Sequence, residues 1–204
     1  KALAEESPVL GDDPVVVMSV PDSSNTASVG FFRTSLKMGI DSRYEIGLIR
    51  NHYVGRTFIQ PGQEKRELKV RMKFNTVKGV IEGRKIVVID DSIVRGTTSK
   101  QLIHLIREAN PEEIHVRISS PPIKNPCPYG MDFPNQRELI AVKNESDLEK
   151  IREEIGADSL AYLSMDKMLS TVSHQGKTGY CTACFSGDYP VAPELNMQKN
   201  DLEV

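Results

Sequence analysis

Two short stretches of the chain are almost wholly apolar, broken by Ser19 alone, and both read as strands covered on both faces: Val15 to Val20 and Ile86 to Ile89. Each runs into a polar turn of small residues, and a helical period opens after each turn: Ala27 to Met38 in the first case, and Leu102, Ile103, Leu105, Ile106 and Ala109 in the second, the latter closed by Asn110-Pro111. Ile114 to Ile118 and Ser159 to Leu163 predict two more strands, and Tyr44 to Ile49 a short one. Leu68 to Phe74 alternates like a half-exposed strand. Helices are expected at the N-terminus, where Lys1 to Leu10 stop at Gly11-Asp12-Asp13-Pro14, at Glu138 to Ala141, at Ser146 to Ile155 with Ser146 as cap, and at Asp166 to Thr171. Four prolines between Ser119 and Gly130 exclude regular structure there. Strands alternating with helices predict an α/β fold with a mainly parallel sheet flanked by helices.

Composition narrows this picture. The 204 residues carry 26 basic and 28 acidic side chains, so no global field favours nucleic acid. No run of about 18 apolar residues predicts a membrane span, and no secretory signal is visible. Three cysteines, an odd number confined to the second half, argue against a disulfide framework and for a reducing, cytoplasmic setting. Position 1 is not Met, so the chain reads as a fragment or a processed product.

The chemistry gathers at the strand ends. Ile86 to Ile89 ends in Asp90-Asp91, and Ser92 through Arg95-Gly96-Thr97-Thr98-Ser99 then offers backbone amides, hydroxyls and a guanidinium at a helix start, a site for a phosphate. Val15 to Val20 ends in Pro21-Asp22-Ser23-Ser24, which by itself is an ordinary helix-cap cluster. Ligands of open parallel sheets bind at the carboxyl ends of strands, so both turns are expected to face one cleft. The stretch 50–66 has no sustained period and mixes cations with aromatics, as functional loops do. Lys65, Arg66, Lys69, Arg71 and Lys73 read as a solvated face, and His104 and His115 as packing or surface residues. Cys181-x-x-Cys184 with Cys127 is three quarters of a four-cysteine site; spacing does not separate zinc from iron–sulfur.

These motifs together resemble the C-terminal phosphoribosyltransferase part of the amidophosphoribosyltransferases, a type I phosphoribosyltransferase fold. Asp90 to Ser99 is similar to that family's phosphoribosylpyrophosphate (PRPP) motif, Val20 to Ser24 to its pyrophosphate loop, and Tyr53-Val54-Gly55-Arg56-Thr57-Phe58-Ile59-Gln60-Pro61 to its mobile loop. The resemblance implies transfer of a phosphoribosyl group from PRPP to ammonia, giving phosphoribosylamine and pyrophosphate, the first committed step of purine synthesis. It implies catalytic roles for Arg56, Asp90 and Asp91. PRPP contacts would come from Asp22, Ser23, Ser24, both acids, Ser92 and Arg95 to Ser99, and Mg2+ would sit at Ser23, Asp90 and Asp91. It selects a 4Fe-4S cluster on Cys127, Cys181 and Cys184, with a fourth ligand upstream. It further implies a glutaminase domain of the same enzyme, absent from this chain, a homo-oligomer, and inhibition by purine nucleotides. The expected organisation is a phosphoribosyltransferase domain over 1–175, lacking its first segment, and a C-terminal extension over 176–204. His52 departs from the family, which carries Arg there, and the loss of a permanent cation weakens any phosphate role at that position. A phosphoribosyltransferase acting on a free base lacks support, because no base-binding hood is evident. The retained lid motif argues against a regulator that only binds PRPP.

Overall fold

The computed structural model describes residues 1–11, 13–51, 72–129, 135–172 and 179–191. Seven strands are described: β1 Val15–Ser19, β2 Ser42–Tyr44, β3 Leu48–Arg50, β4 Phe74–Thr76, β5 Lys85–Asp90, β6 Glu113–Ile118 and β7 Ser159–Tyr162. The helices are α1 Ala2–Glu6, α2 Asn25–Lys37, α3 Lys78–Ile81, α4 Thr97–Arg107, α5 Ile140–Lys143, α6 Leu148–Ile155, α7 Met165–Val172 and α8 Ala183–Ser186. Among the described residues no helix is long and apolar enough to cross a membrane.

Five strands form one parallel sheet in the order β2-β1-β5-β6-β7, and β3 pairs antiparallel with β4 beside it. Counted along the chain, the large sheet runs 2-1-3-4-5, an order found in doubly wound folds, with its direction of winding reversing between β1 and β5. Val15 to Met18 of β1 and Ile86 to Ile89 of β5 are apolar without a break because both sheet faces are covered. Val16, Met18, Ile86 and Val88 pack with Leu102 and Ile106 of α4 and with Ile151 of α6. Val15, Val17, Val87 and Ile89 face Leu3 of α1, Phe31 of α2 and Leu163. Burying such side chains is worth about 1.5–3 kcal/mol each. On the second face, Arg117 of β6 is buried and donates through Nε to the Ser7 carbonyl at 2.9 Å, tying the end of α1 to the sheet.

Five predicted elements differ. The N-terminal helix expected to reach Leu10 ends at Glu6, and the helix expected over Glu138 to Ala141 is a 3-10 turn at Gln136–Glu138 followed by α5. The stretch Tyr44 to Ile49 is two strands, not one. Gly47 lies so close over the sheet that a Cβ there would stand 2.3 Å from Met18 Sδ, and the chain leaves β2 at Glu45 to pair with β4 instead. The alternating strand expected over Leu68 to Phe74 begins only at Phe74, with residues up to 71 outside the described part. Ser146 does not cap α6, because its φ is +61° and it stands one residue too early. Asp147 is the cap, its carboxylate accepting the Glu149 and Lys150 amides at 2.9 and 3.3 Å. The short helices α3 and α8 were not anticipated; the first contains a glycine and both are a single turn.

Candidate functional site

The Val20 amide donates to the Ile89 carbonyl at 2.9 Å, one residue past the end of β1, and this brings the turn 21–24 alongside Asp90. The Pro21–Asp22 peptide is cis. A cleft of about 510 Å³ opens where the two strands end. Pro21, Asp22 and Ser23 line one side, and Asp90, Asp91 and Ser92 the other. Val94 to Ser99 close one end, while Arg50, Lys73 and Phe74 reach in from the small sheet. The structure thus assembles the two turns at the point where the winding reverses.

The turn before α4 is shaped for an anion. Gly96 is the N-cap of α4 with φ +77°, so no side chain caps the helix and its first amides stay open toward the cleft beside Thr97, Thr98 and Ser99. The helix dipole adds partial positive charge there. The turn is braced from behind: Ile93 is buried, and the Ile140 amide donates to the Val94 carbonyl at 2.8 Å. Arg95 lines the cleft, but its Nε donates at 2.8 Å to the Glu138 carboxylate.

Asp90 and Asp91 differ in setting. Asp90 Oδ1 accepts the Asp91 amide at 2.8 Å and the Ser24 hydroxyl at 3.1 Å; Asp91 Oδ1 accepts the Ser92 hydroxyl at 3.0 Å. Burial pushes the Asp90 carboxyl up to about 6; the charge of Asp91 adds to this, and the two hydrogen bonds oppose it. Ser24 occupies the N-cap position of α2, yet makes no capping bond, although capping by serine is worth about 1 kcal/mol. Its side chain is fully buried, points to Asp90, and does not line the cleft.

Arg50 and Lys73 went unrecognised in the sequence, the first as a loop residue and the second as a surface cation. They flank the stretch 52–71, and the Asn51 amide donates to the Lys73 carbonyl at 2.8 Å, so the chain leaves and re-enters at the rim of the cleft. A pair of cations bracketing an aperiodic loop was the available signal. Arg56, His52 and the lid expected over 50–66 lie outside the described residues from 52 onward. Arg50 Nη1 pairs with Asp22 Oδ2 at 2.9 Å, and the two side chains also border a second, mainly apolar hollow of about 520 Å³ beyond Tyr44, Ile46 and Ile49.

Cys127, Cys181 and Cys184 are free thiols. The Lys124 and Asn125 amides donate to the Cys184 carbonyl at 2.9 and 3.0 Å, which sets the 181–191 segment against the proline-rich stretch. Tyr189 reinforces this with a 2.6 Å bond to the Pro126 carbonyl. Burial raises the Cys184 thiol, and negative charge on Cys127 and Cys181 raises it further. Among the described residues no group of three or more His, Cys, Asp or Glu side chains stands close enough to hold a metal ion. The acidic pair nevertheless suits Mg2+, which takes one or two carboxylates together with substrate oxygens and water.

No protein-family model matches the chain. It is 50% identical over 193 residues to an amidophosphoribosyltransferase of Bacillus subtilis, a match covering 93% of this chain and 38% of that protein. A chloroplastic amidophosphoribosyltransferase of Arabidopsis thaliana is 50% identical over 191 residues, 94% of this chain and 32% of its own length. A Mycobacterium bovis counterpart is 48% identical over 208 residues, covering all of this chain and 38% of its own length. Among solved structures, glutamine PRPP amidotransferase from B. subtilis, complexed with ADP and GMP, superposes with a TM-score of 0.79 at 47% identity, covering 97% of this chain and 42% of that one. A structure described as the allosteric regulatory enzyme of purine biosynthesis gives 0.78 at 47% identity, covering 96% and 40%. The chain therefore spans well under half the length of the relatives it matches, and it belongs to the amidophosphoribosyltransferase family as a part that carries the type I phosphoribosyltransferase fold.

Proposed function

We propose that the cleft binds PRPP and transfers its phosphoribosyl group to ammonia, releasing pyrophosphate and forming 5-phosphoribosylamine. The observation that carries this reading is the pairing of an uncapped, glycine-started helix N-terminus with two carboxylates across one cleft. The α4 turn, from Ser92 to Ser99, takes the 5-phosphate through open amides and hydroxyls. Asp90 and Asp91 accept hydrogen bonds from the ribose hydroxyls. Asp22 and Ser23, on the opposite turn, face the pyrophosphate with Arg50 and Lys73. Breaking the C1–oxygen bond leaves a cation-like sugar and an anionic leaving group, so stabilising the departing pyrophosphate is the main requirement. Mg2+ held by the acidic pair, Ser23 and substrate oxygens would supply part of that charge neutralisation. Ammonia then bonds to C1 and loses a proton. Water competes with it, so the site must be covered during the reaction, and the family resemblance assigns that cover to the loop carrying Arg56.

In this reading the ammonia comes from glutamine through a glutaminase domain of the same enzyme, which acts as a homo-oligomer. The three cysteines supply three of the four thiolates of a 4Fe-4S cluster. The test of transfer is pyrophosphate release with PRPP and Mg2+, measured with and without ammonium at a pH high enough to supply free ammonia. Release that depends on ammonia is expected; a protein that neither binds nor turns over PRPP overturns the reading. Anaerobic iron and sulfide analysis tests the cluster separately, and an iron-free, colourless full-length protein refutes it.

A further inference from the structure

We infer that Ser24 is a positioning residue for Asp90, not a ligand of the substrate, and that it locks the two halves of the cleft to each other. The inference rests on the PRPP-transfer reading for what Asp90 does, and on geometry for what Ser24 does. Ser24 belongs to the turn after β1, where its neighbours Asp22 and Ser23 line the cleft; Ser24 itself has no exposed surface and does not. A serine at the start of a helix ordinarily turns its hydroxyl back to the first amides. Here that bond is not made, and the hydroxyl reaches across to Asp90, 66 residues away, at 3.1 Å.

The consequence for Asp90 is an assignment of its two oxygens. Oδ1 accepts from both Ser24 and the Asp91 amide, while Oδ2 accepts no hydrogen bond among the described residues. Two donors from different directions fix the carboxylate plane, so Oδ2 is the oxygen presented to the cleft that Asp90 lines. Because one donor rides on the turn after β1 and the other on the turn after β5, the same bond sets the spacing between them. Among the described residues the main-chain tie at this level runs from the Val20 amide to the Ile89 carbonyl at 2.9 Å. Without Ser24 the carboxylate keeps its place in the chain but can rotate about its side-chain torsions. The effect therefore appears wherever Asp90 must meet the substrate in one orientation.

The experiment is a double-mutant cycle of Ser24→Ala and Asp90→Asn in the full-length protein, read as kcat and KM for PRPP with ammonia as the nitrogen source. Losing one hydrogen bond to a charged group predicts a fall in kcat/KM for PRPP of about ten- to hundredfold for Ser24→Ala, with KM for ammonia unmoved. In the Asp90→Asn background the same substitution should change kcat/KM by less than about twofold, since coupled residues are not additive. Losses that add in the double variant overturn the inference, as does wild-type kinetics for Ser24→Ala. Should the alanine variant fail to fold, Ser24→Cys keeps the size with a much weaker donor; it is expected to lose activity in the same parameter, and wild-type kinetics there also overturns the inference. A parent protein with no PRPP turnover fails the reading beneath it, which is a distinct result from an active parent indifferent to Ser24.

Discussion

Replacing Gly96 with alanine strikes the turn before α4 by two separable routes. The residue sits at φ +77°, where an L side chain costs roughly 1–2 kcal/mol. Its new Cβ would stand 2.2 Å from Ile140 Cδ1 and 3.3 Å from Cγ1, and relieving such an overlap in a packed region typically costs about 1–3 kcal/mol. Alanine also narrows the unfolded ensemble, which returns about 0.4–1 kcal/mol. The net expectation is a destabilisation of about 1–5 kcal/mol. The two routes separate in the double variant Gly96→Ala/Ile140→Val. Valine lacks the δ-methyl and alone costs about 0.5–1.5 kcal/mol, but in the double variant it removes the closest clash and leaves the backbone strain and the 3.3 Å approach to Cγ1. Urea unfolding of the four proteins with linear extrapolation measures each value. The double variant should be more stable than the sum of the single changes by about 1 kcal/mol or more. Strict additivity, or a Gly96→Ala protein within about 0.5 kcal/mol of the parent, would falsify the claim that this turn is wedged against α5. The same displacement moves the amides at the start of α4, so under the proposed reaction KM for PRPP should rise with the loss of stability.

Three further outcomes follow from single contacts. Burial holds His115 below its ordinary value, with the charge of Arg117 adding and that of Glu113 opposing. The unfolded chain therefore binds the proton more readily, and stability should fall as pH drops through about 6.5 toward the depressed folded value. His115→Gln should flatten the urea midpoint over that range, and an unchanged slope would contradict the assignment. Glu138→Ala removes an exposed partner of Arg95 and should cost less than about 1 kcal/mol; a loss above about 2 kcal/mol would mean the pair is not solvent-screened. Asp147→Ala should cost about 0.5–2 kcal/mol as a lost helix cap, while Ser146→Ala stays within about 0.5 kcal/mol. Thermal unfolding of both variants would expose a reversed order.

The central strands were readable because burial on both faces leaves an unbroken apolar run, as in Val15 to Met18 and Ile86 to Ile89. The turn before α4 was readable for a similar reason: a glycine at positive φ and hydroxyls at a helix start are local features. Where the prediction failed, a long-range partner decided. Tyr44 to Ile49 alternates plausibly as one strand. The chain nevertheless leaves the parallel sheet after Tyr44, which pairs with Val17, and resumes at Leu48, which pairs with Thr76. Ser146 and Asp147 are both competent caps, and only the backbone at Ser146, with φ +61°, settles which one serves.

The same distinction governs the site. Each chemical group in the cleft sits on a locally legible turn, but the pairs that determine its state join residues far apart in sequence: Arg50 with Asp22, Arg95 with Glu138, Ser24 with Asp90. All three depend on strand order. Placing β1 beside β5 brings the 21–24 turn to Asp90, and the small sheet then carries Arg50 to the same turn. A run such as Asp22-Ser23-Ser24 therefore specifies which chemistry is available without specifying which member faces the ligand. Ser23 lines the cleft and Ser24, one residue on, is buried beneath it. Motif matching treats these two hydroxyls alike. Their opposite orientations make them different functional groups, one toward the cleft and the other toward the carboxylate across from it.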